Sequence, residues 1–309
     1  MVAVPGDTAA AIDPRTDVYS LGLVLRDVTV TCNDWGTSIT DPSDYLEHLE
    51  ALAIVDPTDG GWTEIGDGTH VFPMASIGMA PQDLKYQGER TRLVLGRDNT
   101  VREFVTINRG TEGGGGVTAI GDHNVFRENT TVHSATNDGD ATVIGSHNHF
   151  LAYTHIAHDC QVGNHTIFAN NAQLAGHVHI GDHAILGGYT GVHQFCRIGA
   201  HVITGIGTHV LKDVPPYITA SGSPAKPYGI NTEGLKRRGF SAEALAGLKR
   251  AYRTVFRTGD TVEQALTALR EQVARSSLGR GENQLARIAS AREAMSGAGE
   301  KLAPDAIEA

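Results

Sequence analysis

Every sixth residue from Ile144 onward is drawn from one narrow set: Ile144, Phe150, Ile156, Val162, Phe168, Leu174, Ile180, Leu186, Val192, Ile198, Thr204 and Val210, eleven of the twelve apolar. A half-buried strand fills alternate positions and a helical face drifts on a 3.6 period, so an unbroken period of six describes short strands joined at regular corners. Glycine follows in Ile144-Gly145, Val162-Gly163, Ile180-Gly181 and Ile198-Gly199, where tight corners favour a residue that tolerates unusual dihedrals. Three hexads make one triangular turn of a parallel β-helix, each turn stacked about 4.8 Å above the last. The period itself does not reveal the hand.

Composition agrees with this reading. With Gly 37, Pro 11 and only 6% aromatic residues, the chain has many turns and few large core anchors, as repetitive β architectures do. A second repeat lies upstream: Gly96-Arg97-Asp98-Asn99 recurs as Gly121-Asp122-His123-Asn124 and again as Gly145-Ser146-His147-Asn148. Arg102-Glu103 and Thr111 recur 25 residues later as Arg127-Glu128 and Thr136, and each turn swells past about 18 residues through a loop at 112–116 or 137–140. Ile65-Gly66-Asp67-Gly68 is the first hexad, which assigns 61–222 to a β-helix and leaves 1–60 as a divergent amino-terminal segment without the period. In that segment DPRTDVYSLGLVL is similar to a stretch of Ser/Thr protein kinases, but no HRD loop, DFG motif or phosphate-covering G-x-G-x-x-G follows in kinase order. It is a local coincidence or a sign of a replaced amino terminus.

The pattern stops near Pro215-Pro216 and the strand-breaking run SGSPAKP. Beyond it 223–276 reads as a small helical domain. Ser241 to Thr258 places Leu245, Leu248, Tyr252, Val255 and Phe256 at helical spacing, and Thr261 with Gln264 forms a capping box for a second helix. Residues 277–309 read as a polar tail that frays.

Several function classes are excluded early. A net charge of −10 opposes general nucleic-acid binding, which needs a basic footprint to displace counterions. Cys32, Cys160 and Cys196 show neither CxxC spacing nor an even count, so free thiols in a reducing compartment are expected. There is no basic stretch leading into an apolar run at the start and no span of about 18 apolar residues, which predicts a cytoplasmic chain without a transmembrane segment. Fifteen histidines invite a metal reading, but a ligand set must converge on one point and most of these are scattered through turns; no metal is expected.

The densest polar group lies where strands should be plainest: THIAHDC at 154–160, LAGH at 174–177 and GVHQF at 191–195. His158 and His177 are 19 residues apart and His177 and His193 are 16 apart. Each step is about one turn, so the three imidazoles fall near one edge of the prism. Asp159 follows His158 directly and can orient an imidazole or stabilise its cation. Any one of these histidines alone reads better as a satisfied corner residue or part of a surface stripe; the cluster does not.

At these residues the chain resembles the UDP-N-acetylglucosamine acyltransferases of lipid A synthesis. HIAHDC, NNAxLAGH, VHQFCxIGAH, DVPPY and NxEGLKRRGF occur in the family's order, as do QDLKY and VTINRGT earlier, together covering about Ile65 to Ser276. The resemblance implies a left-handed β-helix followed by a small α-helical domain, a homotrimer, and transfer of a 3-hydroxyacyl chain from acyl carrier protein to the 3-position of UDP-N-acetylglucosamine. It implies His158 as general base, Asp159 as its partner and Gly176 as an oxyanion-binding backbone N–H, which are the groups such a transfer needs. His155, His177, His193 and Gln194 match residues lining sugar, diphosphate and acyl chain. Asn231, Glu233 and Arg237 match nucleotide contacts, and Asp83 and Lys85 match a loop that reaches the sugar nucleotide. No cofactor is implied beyond the carrier's own phosphopantetheine arm. Lys236, Arg238, Lys249, Arg250 and Arg253 suit an acidic carrier protein.

Two family histidines are replaced, by Asn108 and Pro224, which reads as local tuning of packing or acyl fit. The related N-acyltransferase of the same pathway shares the hexad helix but lacks NxEGLKRRGF, and a catalytically silent sugar-nucleotide-binding or scaffold β-helix is the other competing class. The resemblance also implies one extra coil, because a second copy of the upstream repeat, about Val125 to Asn148, intervenes between VTINRGT and HIAHDC. That moves Asp83 and Lys85 about 4.8 Å farther from His158 along the axis, with Arg127, Glu128 and His133 the candidates to replace them. Ile206 matches the position where side-chain size stops the acyl chain. Each CH₂ denied its pocket forfeits about 0.8 kcal/mol, so Ile206→Gly is expected to shift acyl preference to longer chains in transfer assays with carrier proteins of graded chain length; an unchanged preference removes Ile206 from acyl selection.

Overall fold

The computed structural model describes residues 54–55, 63–111, 116–136, 141–259 and 261–274. Among these, three sheets of eight, seven and nine strands form the walls of a prism that the chain visits in strict rotation. Wall one runs from Ile54–Val55 to His209–Val210, and wall two from Thr63–Ile65 to Arg197–Ile198. Wall three runs from His70–Val71 to Ile203–Thr204 and ends in Ile218–Ser221 and Lys226–Ile230. One circuit is one coil, and the stack is a left-handed parallel β-helix.

The hexad residues point inward. Ile107, Val132, Ile156, Leu174, Val192 and Val210 stand in register on wall one, and all are buried. On wall three Phe126, Phe150 and Phe168 form a column with centroids 4.9 Å apart, the first pair stacked and the second tilted. Thr204, the one polar member of the series, is also buried; its hydroxyl oxygen accepts from the Gly187 N–H at 2.8 Å and lies 2.8 Å from Thr190 Oγ1, so no core polar group is stranded there.

Two further ladders run along the stack. The fourth residue of the Gly-Asp-His-Asn corner is buried as Asn99, Asn124 and Asn148. Each carboxamide oxygen accepts the backbone N–H one coil up, from Asn124 at 2.8 Å, Asn148 at 2.9 Å and Thr166 at 2.8 Å. The third residue of the same corner lies on edge two, where wall two turns into wall three. His123, His147, His165, His183 and His201 all adopt φ between 56° and 60°, and their rings stack at 4.8 Å. Five histidines are thus a structural column whose parallel rings do not converge their nitrogens on one point, as a metal requires.

Beyond Ser221 the chain reverses and Lys226–Ile230 pairs antiparallel with Ile218–Ser221. The sheet therefore passes the boundary expected at 222, because SGSPAKP makes a hairpin turn rather than an exit from the sheet. At the other end Ile54–Val55 already pairs with Ser76–Ile77, inside the segment expected to lie outside the helix; a two-residue strand is too short to register as a period. The carboxy-terminal helices are α1 (Thr232–Arg237), α2 (Ala242–Phe256) and α3 (Val262–Ala274). The Ala244 N–H donates to Ser241 Oγ, and Thr261 with Gln264 forms the reciprocal capping box expected from sequence. The two loops within 112–115 and 137–140, the kinase-like stretch and the polar tail lie outside the described residues.

The asparagine ladder has a measurable consequence. Asn124 Nδ2 donates to the carbonyls of Gly121 and Gly145, and its Oδ1 serves Asn148. Asn124→Ala strands buried groups that each cost about 1–3 kcal/mol when unsatisfied, so its thermal midpoint in calorimetry should fall clearly below the parent's; an unchanged melt would remove the ladder from the stability account.

Candidate active site

Edge one, where wall one turns into wall two, carries the polar cluster. The four-residue corners 157–160, 175–178 and 193–196 lie one above another, so His158, Gly176 and Gln194 are register equivalents. The next residues, Asp159, His177 and Phe195, take φ of 60°, 59° and 66°. His177 therefore does not stand over His158. It stands over Asp159 and stacks on Phe195 at 4.6 Å, while its ring meets that of His158 edge-on at 5.1 Å.

His158 Nδ1 lies 2.6 Å from Asp159 Oδ2. An ionised carboxylate only accepts, so Nδ1 carries the proton and Nε2 is left as the basic nitrogen. The imidazole is 39% exposed, whereas the Asp159 side chain is 0% exposed. His177 Nε2 is 3.6 Å from the same Oδ2. His158, Asp159 and His177 could group around a cation by spacing alone, but the short His158–Asp159 hydrogen bond already occupies one ligand atom of each.

Gly176 is explained by what lies over it. A Cβ built there would overlap Cε1 and Nε2 of His158, so the missing side chain makes room for the imidazole directly over the Gly176 backbone. His155, outward on wall one, places Nδ1 2.6 Å from Thr131 Oγ1, and His133 meets its ring edge-on at 4.7 Å. Burial first, then the neighbouring imidazoles of His133 and His158, push His155 down to about 4. His133 is lowered by burial and by His158. Both are neutral at physiological pH and add no positive charge beside His158. Cys160 and Cys196 are buried thiols pushed up to about 12, mainly by desolvation, which leaves them as packing groups.

The other residues singled out from sequence are not all on this edge. His193 and Gln194 are, both exposed, with the His193 ring 3.1 Å from the Gln194 carbonyl. Asp83 and Lys85 sit on a loop that also leaves edge one, but from the coil of Ser76–Met79, three coils before His158, or about 14 Å at the usual rise. That loop is tied to the coil next to its own: Arg109 donates to the Gly78 carbonyl at 2.8 Å and to the Tyr86 hydroxyl at 2.9 Å, and Asn108 donates to the Ala80 carbonyl. Of the candidate replacements, His133 is on edge one, whereas Arg127 and Glu128 pair with each other on edge three, between walls three and one.

Asn231 anchors the first carboxy-terminal helix. Its Oδ1 caps α1 through the Gly234 N–H, and its Nδ2 donates to the His201 carbonyl. Glu233 pairs with Lys236 at 3.0 Å, Arg237 is exposed, and Arg238 donates to the His183 carbonyl, fastening α1 over edge two. Ile206 is 79% exposed on edge three. One prism thus spreads these groups over three separate edges. Sequence reasoning did not find Thr131, Thr136 or Thr142, which also touch the cluster; Thr136 was visible only as a repeat of Thr111.

A stack of hexapeptide coils with an acid–imidazole pair on one edge defines a hexapeptide-repeat transferase. The family model described as bacterial transferase hexapeptide (six repeats) matches residues 141–176, and that described as UDP N-acetylglucosamine O-acyltransferase, domain 2, matches 213–289. The acyl-(acyl-carrier-protein) UDP-N-acetylglucosamine O-acyltransferase of Thiobacillus denitrificans is 53% identical over 205 residues, 66% of this chain and 70% of that protein. Its Xanthomonas campestris counterpart is 50% identical over 222 residues, 72% of this chain and 75% of that one. Among solved structures, the Moraxella catarrhalis UDP-N-acetylglucosamine O-acyltransferase matches with a TM-score of 0.56 at 40% identity, covering 74% of this chain and 79% of that chain. The Francisella novicida acyltransferase matches with a TM-score of 0.61 at 31% identity over 74% and 80%. The chain belongs to the UDP-N-acetylglucosamine O-acyltransferase family, and it is an acyltransferase.

Because His158 fills the space over residue 176, Gly176→Ala is expected to displace the imidazole. Displacements of about 1 Å can cost ~10²-fold in rate. Transfer assays should show that loss with the protein still folded by circular dichroism, and full activity in this variant would show that the imidazole tolerates the displacement.

Proposed function

We propose that this protein transfers a 3-hydroxyacyl chain from acyl carrier protein to the 3-hydroxyl of UDP-N-acetylglucosamine, the substrates named for its relatives. The observation that carries the mechanism is the His158–Asp159 pair: a half-exposed imidazole whose Nδ1–H is held by a buried carboxylate at 2.6 Å. His158 Nε2 takes the proton of the sugar hydroxyl as its oxygen attacks the thioester carbonyl carbon. The Gly176 N–H receives the developing oxyanion. As the tetrahedral intermediate collapses the C–S bond breaks, and the carrier thiolate leaves with the proton from His158. Cys160 and Cys196, inert as buried thiols, form no covalent intermediate.

His155, His177, His193 and Gln194 line the sugar, diphosphate and acyl chain in this reading, with Asn231, Glu233 and Arg237 toward the nucleotide. Their distribution over separate edges supports a homotrimer, because only a neighbouring prism can bring edge two or edge three against edge one. The β-helix, which runs on through Lys226–Ile230, forms the catalytic prism, and the helices from Thr232 onward the domain that meets the acidic carrier. Asp83 and Lys85 lie farthest along the axis from the base and contribute least. Among the described residues no helix is long and apolar enough to cross a membrane, and we place the reaction in the cytoplasm, where acyl carrier protein donors are made.

The test is direct. His158→Ala should lose ~10²- to 10⁴-fold in turnover with its size in solution unchanged, and Asp159→Asn should lose less because the base remains. Near-normal turnover by His158→Ala with UDP-N-acetylglucosamine and 3-hydroxyacyl carrier protein would overturn the mechanism.

A further inference from the structure

Asp159 is gripped from the coil below it. The Thr136 N–H donates to Asp159 Oδ1 at 3.0 Å, and Thr136 Oγ1 donates to Oδ2 at 2.8 Å. That second oxygen is the one that receives His158 Nδ1 at 2.6 Å, and Thr136 Oγ1 itself is 3.5 Å from Nδ1. The Asp159 backbone N–H donates to Thr142 Oγ1 at 2.9 Å. Thr136 and Thr142 are both in the second copy of the upstream repeat, the coil of Val125–Phe126, Thr131–Val132 and Thr142–Ile144. The equivalent residue of the first copy, Thr111, bonds the Ala135 carbonyl instead. Three of the contacts that hold the carboxylate residue therefore come from the duplicated coil, at a place no substrate contact has been assigned.

We infer that Thr136 is a positioning residue for acyl transfer, acting through Asp159 on the orientation and basicity of His158, so that the duplicated coil belongs to the catalytic apparatus. This rests on the reading of His158 as the base. A carboxylate free to rotate about its Cβ–Cγ bond presents its oxygens to Nδ1 only part of the time; two donors from one residue, one on each oxygen, fix the rotor. The hydroxyl on Oδ2 has a second effect. It shares that oxygen's charge with the imidazole, and charge-assisted hydrogen bonds are the strong ones, so Asp159 pulls less on the imidazolium than an undivided carboxylate does. The titratable groups facing His158 are Asp159 and His177 on edge one, with His155 and His133 beside them on wall one and its corner. His155 and His133 are held neutral by burial and stay the same in a Thr136 variant.

Replacing the hydroxyl by an isosteric methyl therefore does two opposed things: it loosens the carboxylate and strengthens its hold on the imidazolium. Thr136→Val should lower kcat roughly tenfold, less than the ~10²-fold cost of a 1 Å misplacement, leave the KM for UDP-N-acetylglucosamine unchanged, and move the acid limb of the kcat/KM profile upward by roughly half a pH unit. Thr136→Ser, which keeps the hydroxyl, should restore both kcat and the limb. Thr136→Ala carries the same expectation as Thr136→Val and serves if the valine variant does not fold. A wild-type kcat and pH profile in the hydroxyl-free variants, or a lowered kcat with an unmoved acid limb that serine does not restore, overturns the inference and leaves Thr136 as structure only. His158→Ala measured alongside separates the two readings: if that variant stays active the base assignment falls and takes this inference with it, whereas an inactive His158→Ala beside an unperturbed Thr136→Val sinks the inference alone.

Discussion

The parallel main-chain ladder between successive coils is the constraint on which everything else depends. Strand N–H groups bond the carbonyl one coil along, as His155 to Ala172 at 3.1 Å, Gln173 to Thr190 at 2.8 Å and Gly191 to Thr208 at 2.9 Å show. No residue can then shift along its strand without breaking register in the coils on both sides. Side chains are forced directly above one another at the strand spacing. Apolar residues at one position become an unbroken core column, asparagines become a hydrogen-bonded ladder, and imidazoles at a left-handed corner position become a stack.

The same constraint makes a site from ordinary corners. His158, Gly176 and Gln194 occupy one position in three successive coils, and Asp159, His177 and Phe195 the next. Where a corner on edge two repeats its residue type, the result is a histidine column with no chemistry demanded of it. Where edge one breaks the repeat, an imidazole meets a carboxylate in its own corner and a glycine in the coil beyond. The rigid spacing keeps the glycine's backbone and the imidazole at a fixed separation, and the proposed base and oxyanion roles rest on that geometry.

Insertion of a coil is tolerated by such a stack because each coil contacts only its neighbours. The loop of Asp83 and Lys85 stays fastened to Asn108 and Arg109 and moves with the lower part of the prism, while Thr131, His133 and Thr136 arrive beside His155, His158 and Asp159. The second copy of the upstream repeat thus supplies the lower neighbours of the His158–Asp159 corner.

The sequence by itself determined the prism and the edge on which the polar cluster gathers, because a period of six is the direct imprint of short strands between corners, and residues about 18 apart must be neighbours in such a stack. It also placed the capping box of Thr261 and Gln264, which is a local interaction. The tertiary structure alone decided the rest. His177 proved to stand over Asp159 rather than His158, since 19 residues is one more than a coil and moves the side chain one position round the corner. Asn231, matched to a nucleotide contact by motif, also caps α1 and ties it to His201, a pairing 30 residues long that no local pattern announces. Thr136 looked like a repeat of Thr111, and only the register of the coils showed that the two identical residues face different partners, one a backbone carbonyl and the other the carboxylate of Asp159.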